Sequence, residues 1–505
     1  MFFHLFRYLA GCIIGATLYL ALLRVIASIA RRNAVQKYRC QAPAAYPHKD
    51  PFFGLDSVRD AICAAKARSS IARQIHQYAQ YGSTFSSKFF TTPVISTIEP
   101  ENVKAVLSTH FEDYSVGSRR KEAFFPLLGR SIFQVDGPQW KHSRHLLQSC
   151  FARDQVDDLQ VLDVHVSKLI NALPTNGAMV DLGDWFPRLT ADVTTACFFG
   201  HTIDSLGNDS LSFGAEFVKA IHDAQDGCEE RWKIGVFAKV VPQREFYRNV
   251  KRIHDFMDQH IETAIASFNS SSRISKDNKA QQDRHVFLHD LREVTDDRQV
   301  LRDELLTIFI ASVDTSAAVL TNLFFVLAKR PDIWQLLRNE VAPLSGGKPD
   351  IDQLQSMRYH QYCLKESLRL HPIALSNSRT AYKDTILPRG GGADYQSPVF
   401  VAKGTMVAFG IAAMHRSKSL WGEDADEFRP ERWGNEKQSW KFIPFNGGPR
   451  VCIGERFAMN LTTYTLVRLV QSFHSLESQD DGDWVEGAHL ACTSHNGAKV
   501  ILRAS

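Results

Sequence analysis

The sequence predicts a mainly α-helical chain with small β-sheets, preceded by an N-terminal transmembrane helix. Three observations carry this reading. Apolar residues recur with helical period near 60–80, 139–152, 158–171, 212–225, 246–267, 332–341 and 352–370. Strand-like segments are short and few, at 93–98, 383–388, 398–402 and 405–409. Two apolar runs are long enough to cross a bilayer, although the composition, 44% hydrophobic and 23% charged, is that of a globular protein. That composition excludes disordered and collagen-like classes.

The first run, Tyr8 to Ala30, is apolar except for Arg24. At about 1.5 Å per residue it can span a hydrocarbon core of roughly 30 Å. Arg24 lies near its end, where it can snorkel to the interface. Arg31, Arg32, Lys37 and Arg39 follow it, against Arg7 ahead, so the positive-inside bias places the bulk of the chain in the cytosol. A cleaved signal peptide is the rival reading, because Ser28-x-Ala30 has the look of a cleavage site. The apolar run is long for such a peptide. Pro43 to Pro51 then reads as a stiff, proline-rich linker.

The second run, Leu305 to Ala328, holds one charge, Asp314. Hydropathy alone would make it a second span with an intramembrane acid. Its flanks, Arg302-Asp303-Glu304 and Lys329-Arg330-Pro331, and its recurring Thr, Ser and Asn favour the central helix of a large soluble core. Asp314-Thr315 is then an acid-alcohol pair deep in a protein. A buried carboxyl group is costly without partners, so the pair is a functional candidate. Gly390-Gly391-Gly392 lacks the Lys-Ser/Thr and helix of a phosphate loop and reads as a turn between strands.

The charge balance, 59 basic against 55 acidic residues, is too even for a nucleic-acid binder. Nine cysteines with no C-x-x-C pair argue against a disulfide scaffold or structural zinc, and for a reducing compartment. One cysteine stands apart. Phe445-Asn446-Gly447-Gly448-Pro449-Arg450-Val451-Cys452-Ile453-Gly454 fits F-x-x-G-x-R-x-C-x-G, with an apolar helical pattern following from Glu455 to Phe473. A cysteine opening a helix has its thiolate favoured by the helix dipole and by backbone N–H groups. Gly448 permits a bend, Gly454 a close approach to the backbone, and Arg450 offers a fixed cation to a carboxylate. Together they describe a thiolate ligand for haem iron, with an arginine for a propionate.

This decapeptide resembles the haem-ligand signature of the cytochromes P450. Glu366-Ser367-Leu368-Arg369 resembles the family's E-x-x-R motif, and Phe428 to Trp433 the motif whose arginine, Arg432, completes an ion-pair triad. Trp140-Lys141-His142-Ser143-Arg144 resembles the W-x-x-x-R motif, in which both residues reach haem propionates; Arg379 matches a further propionate contact. The resemblance implies the cytochrome P450 fold over one haem domain at 53–505, behind an anchor at 1–32 and a linker at 33–52. Length alone, at roughly 150 residues per domain, would have given about three domains.

By the same resemblance the cofactor is haem b, with Cys452 as metal ligand and Trp140, Arg144, Arg379, Phe445, Arg450 and Gly454 around it. Asp314 and Thr315 fall at the oxygen-activating pair, although Ser312 stands where the family usually has glycine. Local wording resembles the fungal branch that hydroxylates alkanes and fatty acids and also includes tailoring enzymes of secondary metabolism. Val313 departs from the alkane hydroxylases, so both a fatty-acid-like chain and a lipophilic polyketide or terpenoid stay open. Candidate substrate contacts are Phe124, Phe125, Leu128, Ala311, Ile373 and Ala374, each equally readable as core.

Only about 50 residues follow Cys452, too few for a flavin domain, and the resemblance implies a membrane-bound NADPH–cytochrome P450 reductase as electron donor. Lys437, Lys441 and Arg456 are candidate contacts for it. The expected setting is the endoplasmic reticulum membrane, with the catalytic domain in the cytosol. An oxygen-independent rearrangement enzyme and a non-catalytic haem-binding protein are the alternatives.

Overall fold

The structure is a computed structural model that describes residues 28–29, 31–151, 156–207, 213–274, 287–437, 439–488 and 490–504. Most of the predicted span Tyr8–Ala30 lies outside them. The strands are β1 Ala44–Ala45, β2 Thr84–Phe89, β3 Thr92–Thr97, β4 Tyr114–Ser115, β5 Asn176–Asp181, β6 Asn377–Ala381 and β7 Thr385–Gly391, then β8 Ser397–Val401, β9 Met406–Phe409, β10 Phe473–Ser478, β11 Glu486–Ala488, β12 Cys492–Ser494 and β13 Lys499–Ala504. The principal helices are α1 Leu55–Lys66, α2 Ser70–Tyr81, α3 Ser118–Leu128, α4 Gly137–Cys150, α5 Gln160–Ala172, α6 Leu182–Phe199 and α7 Phe213–Ile234. They continue with α8 Arg244–Ile274, α9 Phe287–Val294, α10 Arg298–Leu327, α11 Pro331–Val341, α12 Ile351–Ser356, α13 Arg358–Leu370 and α14 Glu455–Ser472.

These residues form two compact units. One combines the described residues up to Arg59 with His76–Ser115 and Ser378–Phe409; the other holds Asp60–Ile75, Val116–Asn377 and Gly410 onward. The first unit is built on a six-stranded sheet of order β1-β2-β3-β9-β6-β4. Its centre is a parallel pairing of β3 with β9, in register Val94↔Met406. β7 and β8 pair antiparallel, and the expected triple-glycine turn lies there, with Gly390 at φ +105° and Gly392 at φ +80°. The stretch read as a linker is joined to this sheet. β1 runs parallel to β2, the Gln41 N–H donates to the Pro398 carbonyl at 2.8 Å, and the Tyr46 N–H donates to Ser86 at 2.8 Å. Pro43 and Pro47 flank β1 and lack an N–H, which keeps the added strand to two residues.

The second unit is helical, with a β10-β13-β5 sheet and a β11–β12 hairpin. At its centre α10 is capped by Asp297, whose carboxylate accepts from the Gln299 and Val300 N–H groups, so the helix starts at Arg298, four residues upstream of the expected Arg302. Most of α10 is buried, with 72% of its most apolar window inside the protein. A helix apolar all round is buried all round. Its neighbour α6 packs through Phe186 against Phe324, with ring centroids 5.2 Å apart, and the Thr190 hydroxyl donates to the Val313 carbonyl at 3.0 Å.

The helical window 60–80 divides at Arg68, which takes φ +51°, into α1 and α2. The window 352–370 divides at Met357 into α12, opened by an Asp350–Gln353 capping box, and α13. Periodicity gave no α3 or α6, each of which carries an internal proline, Pro126 or Pro187.

Candidate active site

The segment before α14 is a tight loop. Asn446 at φ +66° and Gly448 at φ +67° reverse the chain, so that the Cys452 N–H donates to the Phe445 carbonyl at 2.9 Å and Val451 N–H to Gly448 at 3.0 Å. Gly454 caps the helix and its N–H points at Cys452. A Cβ on Gly454 would touch only Phe151, at 3.5 Å, so the backbone there is open to a close neighbour.

Cys452 is solvent-accessible, yet burial among surrounding atoms pushes its thiol up to about 11. Both hold for a side chain facing a recess rather than bulk water. The Gly454 N–H and the Arg144 guanidinium favour the thiolate, while Glu455 opposes it. A helix terminus acting alone would lower this pKa. Burial outweighs the single N–H, and a cation at the sulfur would supply what the terminus does not.

Two guanidinium groups converge on the loop. Arg144 of α4 donates to the Val451 carbonyl at 2.8 Å. Arg450 donates to Asp136 Oδ1 and the Val135 carbonyl, each at 2.7 Å, and lies 4.7 Å over the Trp140 ring. Asp136 also pairs with Lys121 at 2.9 Å. Burial lowers the pKa of Arg144; burial and the nearby Arg120 bring Arg450 down to about 10, against the pull of Asp136. Burial is the main cause of both shifts, and Asp136 is divided between Arg450 and Lys121, so further negative charge beside the two guanidiniums would be favourable. A group with a metal cation for the thiol and two carboxylates for the guanidiniums fits this donor set.

Glu366, Arg369 and Arg432 meet in full burial. Arg369 Nε and Nη2 fork onto Glu366 at 3.0 and 2.8 Å, and Arg432 Nε donates to Glu366 at 2.9 Å. The Trp433 indole and the Arg429 N–H, each at 3.0 Å, complete the set, and neither was foreseen. Arg369 also donates to the His415 and Ala425 carbonyls and to Glu427.

The acid-alcohol pair makes its bonds elsewhere. Thr315 donates to the Ala311 carbonyl at 2.6 Å. Asp314 is held from α7, with His222 Nε2 donating to Oδ1 at 3.1 Å and Gln225 Nε2 to Oδ2 at 2.8 Å. Sequence reasoning missed both partners; the signal was a polar pair three apart on one face of an amphipathic window. Ala311, Ser312 and Thr315 share a partly accessible turn, whereas Val313 is buried.

Of the remaining candidates, Leu128 is buried, Phe124, Ala311 and Ile373 are half-buried, and Phe125 and Ala374 are exposed. Arg379 lies on β6 in the first unit, buried, and donates to the Ser378 carbonyl at 2.8 Å. Lys437 is exposed. Lys441 and Arg456 are engaged within the chain, Lys441 with Glu436 at 2.9 Å and Arg456 with Asp157. Their charge is already met, which weakens the sequence-based expectation of a docking role.

A cytochrome P450 family model matches residues 63–496. The chain is 39% identical to Cytochrome P450 monooxygenase himC of Aspergillus japonicus, over 96% of this chain and 88% of that protein. It is 36% identical to Cytochrome P450 monooxygenase fsdH of Fusarium heterosporum, over 94% and 84% of the two chains. To Cytochrome P450 52A12 of Debaryomyces hansenii it is 36% identical over 93% of each. Members of this family bind haem b through a cysteine thiolate and are monooxygenases supplied with electrons by a redox partner. A match that reaches across the cysteine loop, the buried glutamate cluster and the central helix alike has one reading: this chain belongs to the cytochrome P450 family.

Proposed function

We propose that the chain oxidises a lipophilic, partly oxygenated small molecule of the polyketide or terpenoid kind, drawing electrons from NADPH–cytochrome P450 reductase. Its setting is the endoplasmic reticulum membrane, with Tyr8–Ala30 as anchor and the catalytic domain in the cytosol. The observation that carries the substrate class is the accessible turn of α10, where the hydroxyls of Ser312 and Thr315 stand beside Ala311. Such a turn offers an oxygenated lipophile the Ser312 hydroxyl and the acceptor lone pairs of Thr315, whose proton is already on the Ala311 carbonyl, whereas a plain alkyl chain makes no use of them. The buried Val313 has no part in that choice.

The roles follow from the chain's own groups. Cys452 is the ligand, and Arg144, Arg450 and Trp140 hold and orient the cofactor's carboxylates. Haem b, when bound, would supply the iron that activates O2, one atom of which enters a C–H bond while the other leaves as water. Glu366, Arg369 and Arg432 fix the residues that precede the cysteine loop. Asp314 is the proton-exchanging group, and Thr315, on a neighbouring face of the same helix with its hydroxyl donating to Ala311, takes the proton through intervening water rather than from the carboxyl directly.

The test combines spectrum and turnover. The ferrous, carbon monoxide-bound protein is expected to show the thiolate-ligated spectrum, and Cys452→Ser to lose it; a variant that keeps it overturns the ligand assignment. With reductase and NADPH, decalin polyketides and sesquiterpene alcohols are expected to give oxygenated products, and dodecane and dodecanoic acid little. Preferred turnover of dodecanoic acid would overturn the substrate class, and product from a hydroperoxide without reductase would overturn the monooxygenase assignment.

A further inference from the structure

Asp314 does not face the alcohol beside it. Thr315 spends its hydroxyl proton on the Ala311 carbonyl of its own helix, while both Asp314 oxygens are taken by α7. Successive helical residues point about 100° apart, so the two functional groups of the pair look in different directions. The two α7 donors differ in kind. Gln225 is 4% exposed and its amide has no ionisable proton, so it fixes one carboxylate oxygen in place. The His222 side chain is 50% exposed, against 15% for Asp314, so the other oxygen ends on an imidazole that meets solvent. A purely structural tie would need no titratable group at the surface end. The hydrogen bond to Asp314 also raises the His222 pKa, over the opposing effect of burial, with Asp226 and Asp223 of its own helix adding to the rise. Raised in this way, the imidazole holds its proton where an ordinary histidine would be releasing it.

We propose that His222 is the proton-entry residue for Asp314: it takes a proton from water at its exposed edge and passes it from Nε2 to Asp314 Oδ1, with Gln225 holding the carboxylate in line. The transfer converts imidazolium and carboxylate into imidazole and carboxylic acid, and water then reprotonates the imidazole. Monooxygenation consumes two protons with two electrons for each O2 that yields one inserted oxygen atom and one water, and His222 is the entry for those protons. Within the reaction His222 is a positioning and supply residue, acting through Asp314. The inference rests on the reading of Asp314 and Thr315 as the proton-handling pair.

Two measurements test it on the full-length, haem-loaded protein. The first is NADPH consumption with reductase, in H2O and D2O. Glutamine can keep the hydrogen bond to Asp314 but carries no titratable proton, so His222→Gln is expected to slow consumption about tenfold or more and to enlarge the solvent isotope effect. Its carbon monoxide spectrum should stay that of the wild type. Asp314→Asn should slow consumption to a similar degree, and the double variant no further than Asp314→Asn alone. If Asp314→Asn has no effect, the acid-alcohol reading itself fails. If Asp314→Asn slows the reaction while His222→Gln runs at the wild-type rate, the pair stands and the role given to His222 is wrong. The second measurement needs no turnover. In the diamagnetic carbon monoxide form, the His222 ring signal is expected to titrate above the ordinary histidine pKa of about 6.5 and to fall back in Asp314→Asn. An unchanged titration would overturn the contact.

Discussion

Arg369 places all five of its N–H donors on oxygen, two on Glu366 and the others on the His415, Ala425 and Glu427 carbonyls. Glu366, equally buried, has no route to water if that fork is broken. A lysine at 369 is a point charge with three donors and cannot reproduce the planar fork. Arg369→Lys is therefore expected to destabilise the fold by about 3–5 kcal/mol, the range for breaking a buried pair. Thermal melting and the yield of thiolate-ligated protein would record it, and a wild-type melting curve would refute it. The E-x-x-R spacing revealed the first pair and family likeness supplied Arg432. The Trp433 indole and the carbonyls were illegible because no local pattern marks groups met only through folding. Gly129 gives a second case. It sits at φ +54° and ψ −133°, and a Cβ there would lie 1.8 Å from Asp303 Oδ2. Side chains avoid that backbone region, so Gly129→Ala adds strain to a clash with a buried carboxylate. The expected outcome is little soluble haem-loaded protein at 37 °C; normal yield and melting would remove the argument.

At the scale of the element, α10 does more than fill the core. Its first turns clasp the loop between α3 and α4, with Arg130 N–H donating to Asp303 at 3.0 Å and Ile132 N–H to Glu304 at 3.2 Å. The sequence marked Asp303 and Glu304 only as the polar start of a helix, because nothing in an apolar pattern tells which acids will be buried. The helix itself was legible as an unbroken apolar run. Burial raises the Glu304 pKa to about 7, despite hydrogen bonds from Ser143 and Ile132 that favour the charged form. A carboxyl group raised on folding contributes stability that is fully present below its unfolded pKa of about 4.5 and is lost as pH rises through the folded value. Between pH 5 and pH 7.5 Glu304 is thus expected to remove about 2 kcal/mol from the folded state. Melting temperature against pH should fall over that window in the wild type and be flatter in Glu304→Gln. Parallel curves for the two proteins would sink the assignment.

Across the whole molecule, the sequence was most legible where function is local and least where the chain must return to itself. The cysteine decapeptide and the central helix are continuous stretches. The first unit instead brings together the described residues up to Arg59, 76–115 and 378–409, and its sheet depends on Val94 meeting Met406. Short strands at such separations carry too little periodicity to announce a partner. The second unit carries a different kind of hidden fact, a charge imbalance around Cys452. Arg144 and Arg450 are held in surroundings that lower both pKa values, with Asp136 shared between Arg450 and Lys121. A haem-free chain bears that imbalance in its folded state, and a cofactor with two carboxylates relieves it. Ligand binding to the folded state alone stabilises it by about 2.7 kcal/mol at one hundred times Kd. Melting temperature is therefore expected to rise by several degrees as haem is added to haem-free protein. The informative quantity is the difference between haem-loaded and haem-free melting within each protein, since it cancels whatever a substitution does to the fold itself. With Arg144→Gln and Arg450→Gln combined, that difference should shrink by about half or more, because the surviving Cys452 ligation lacks the charge pairing. An equal rise in wild type and double variant would mean that the guanidiniums serve only Val451 and Asp136, and that the thiol alone carries the cofactor.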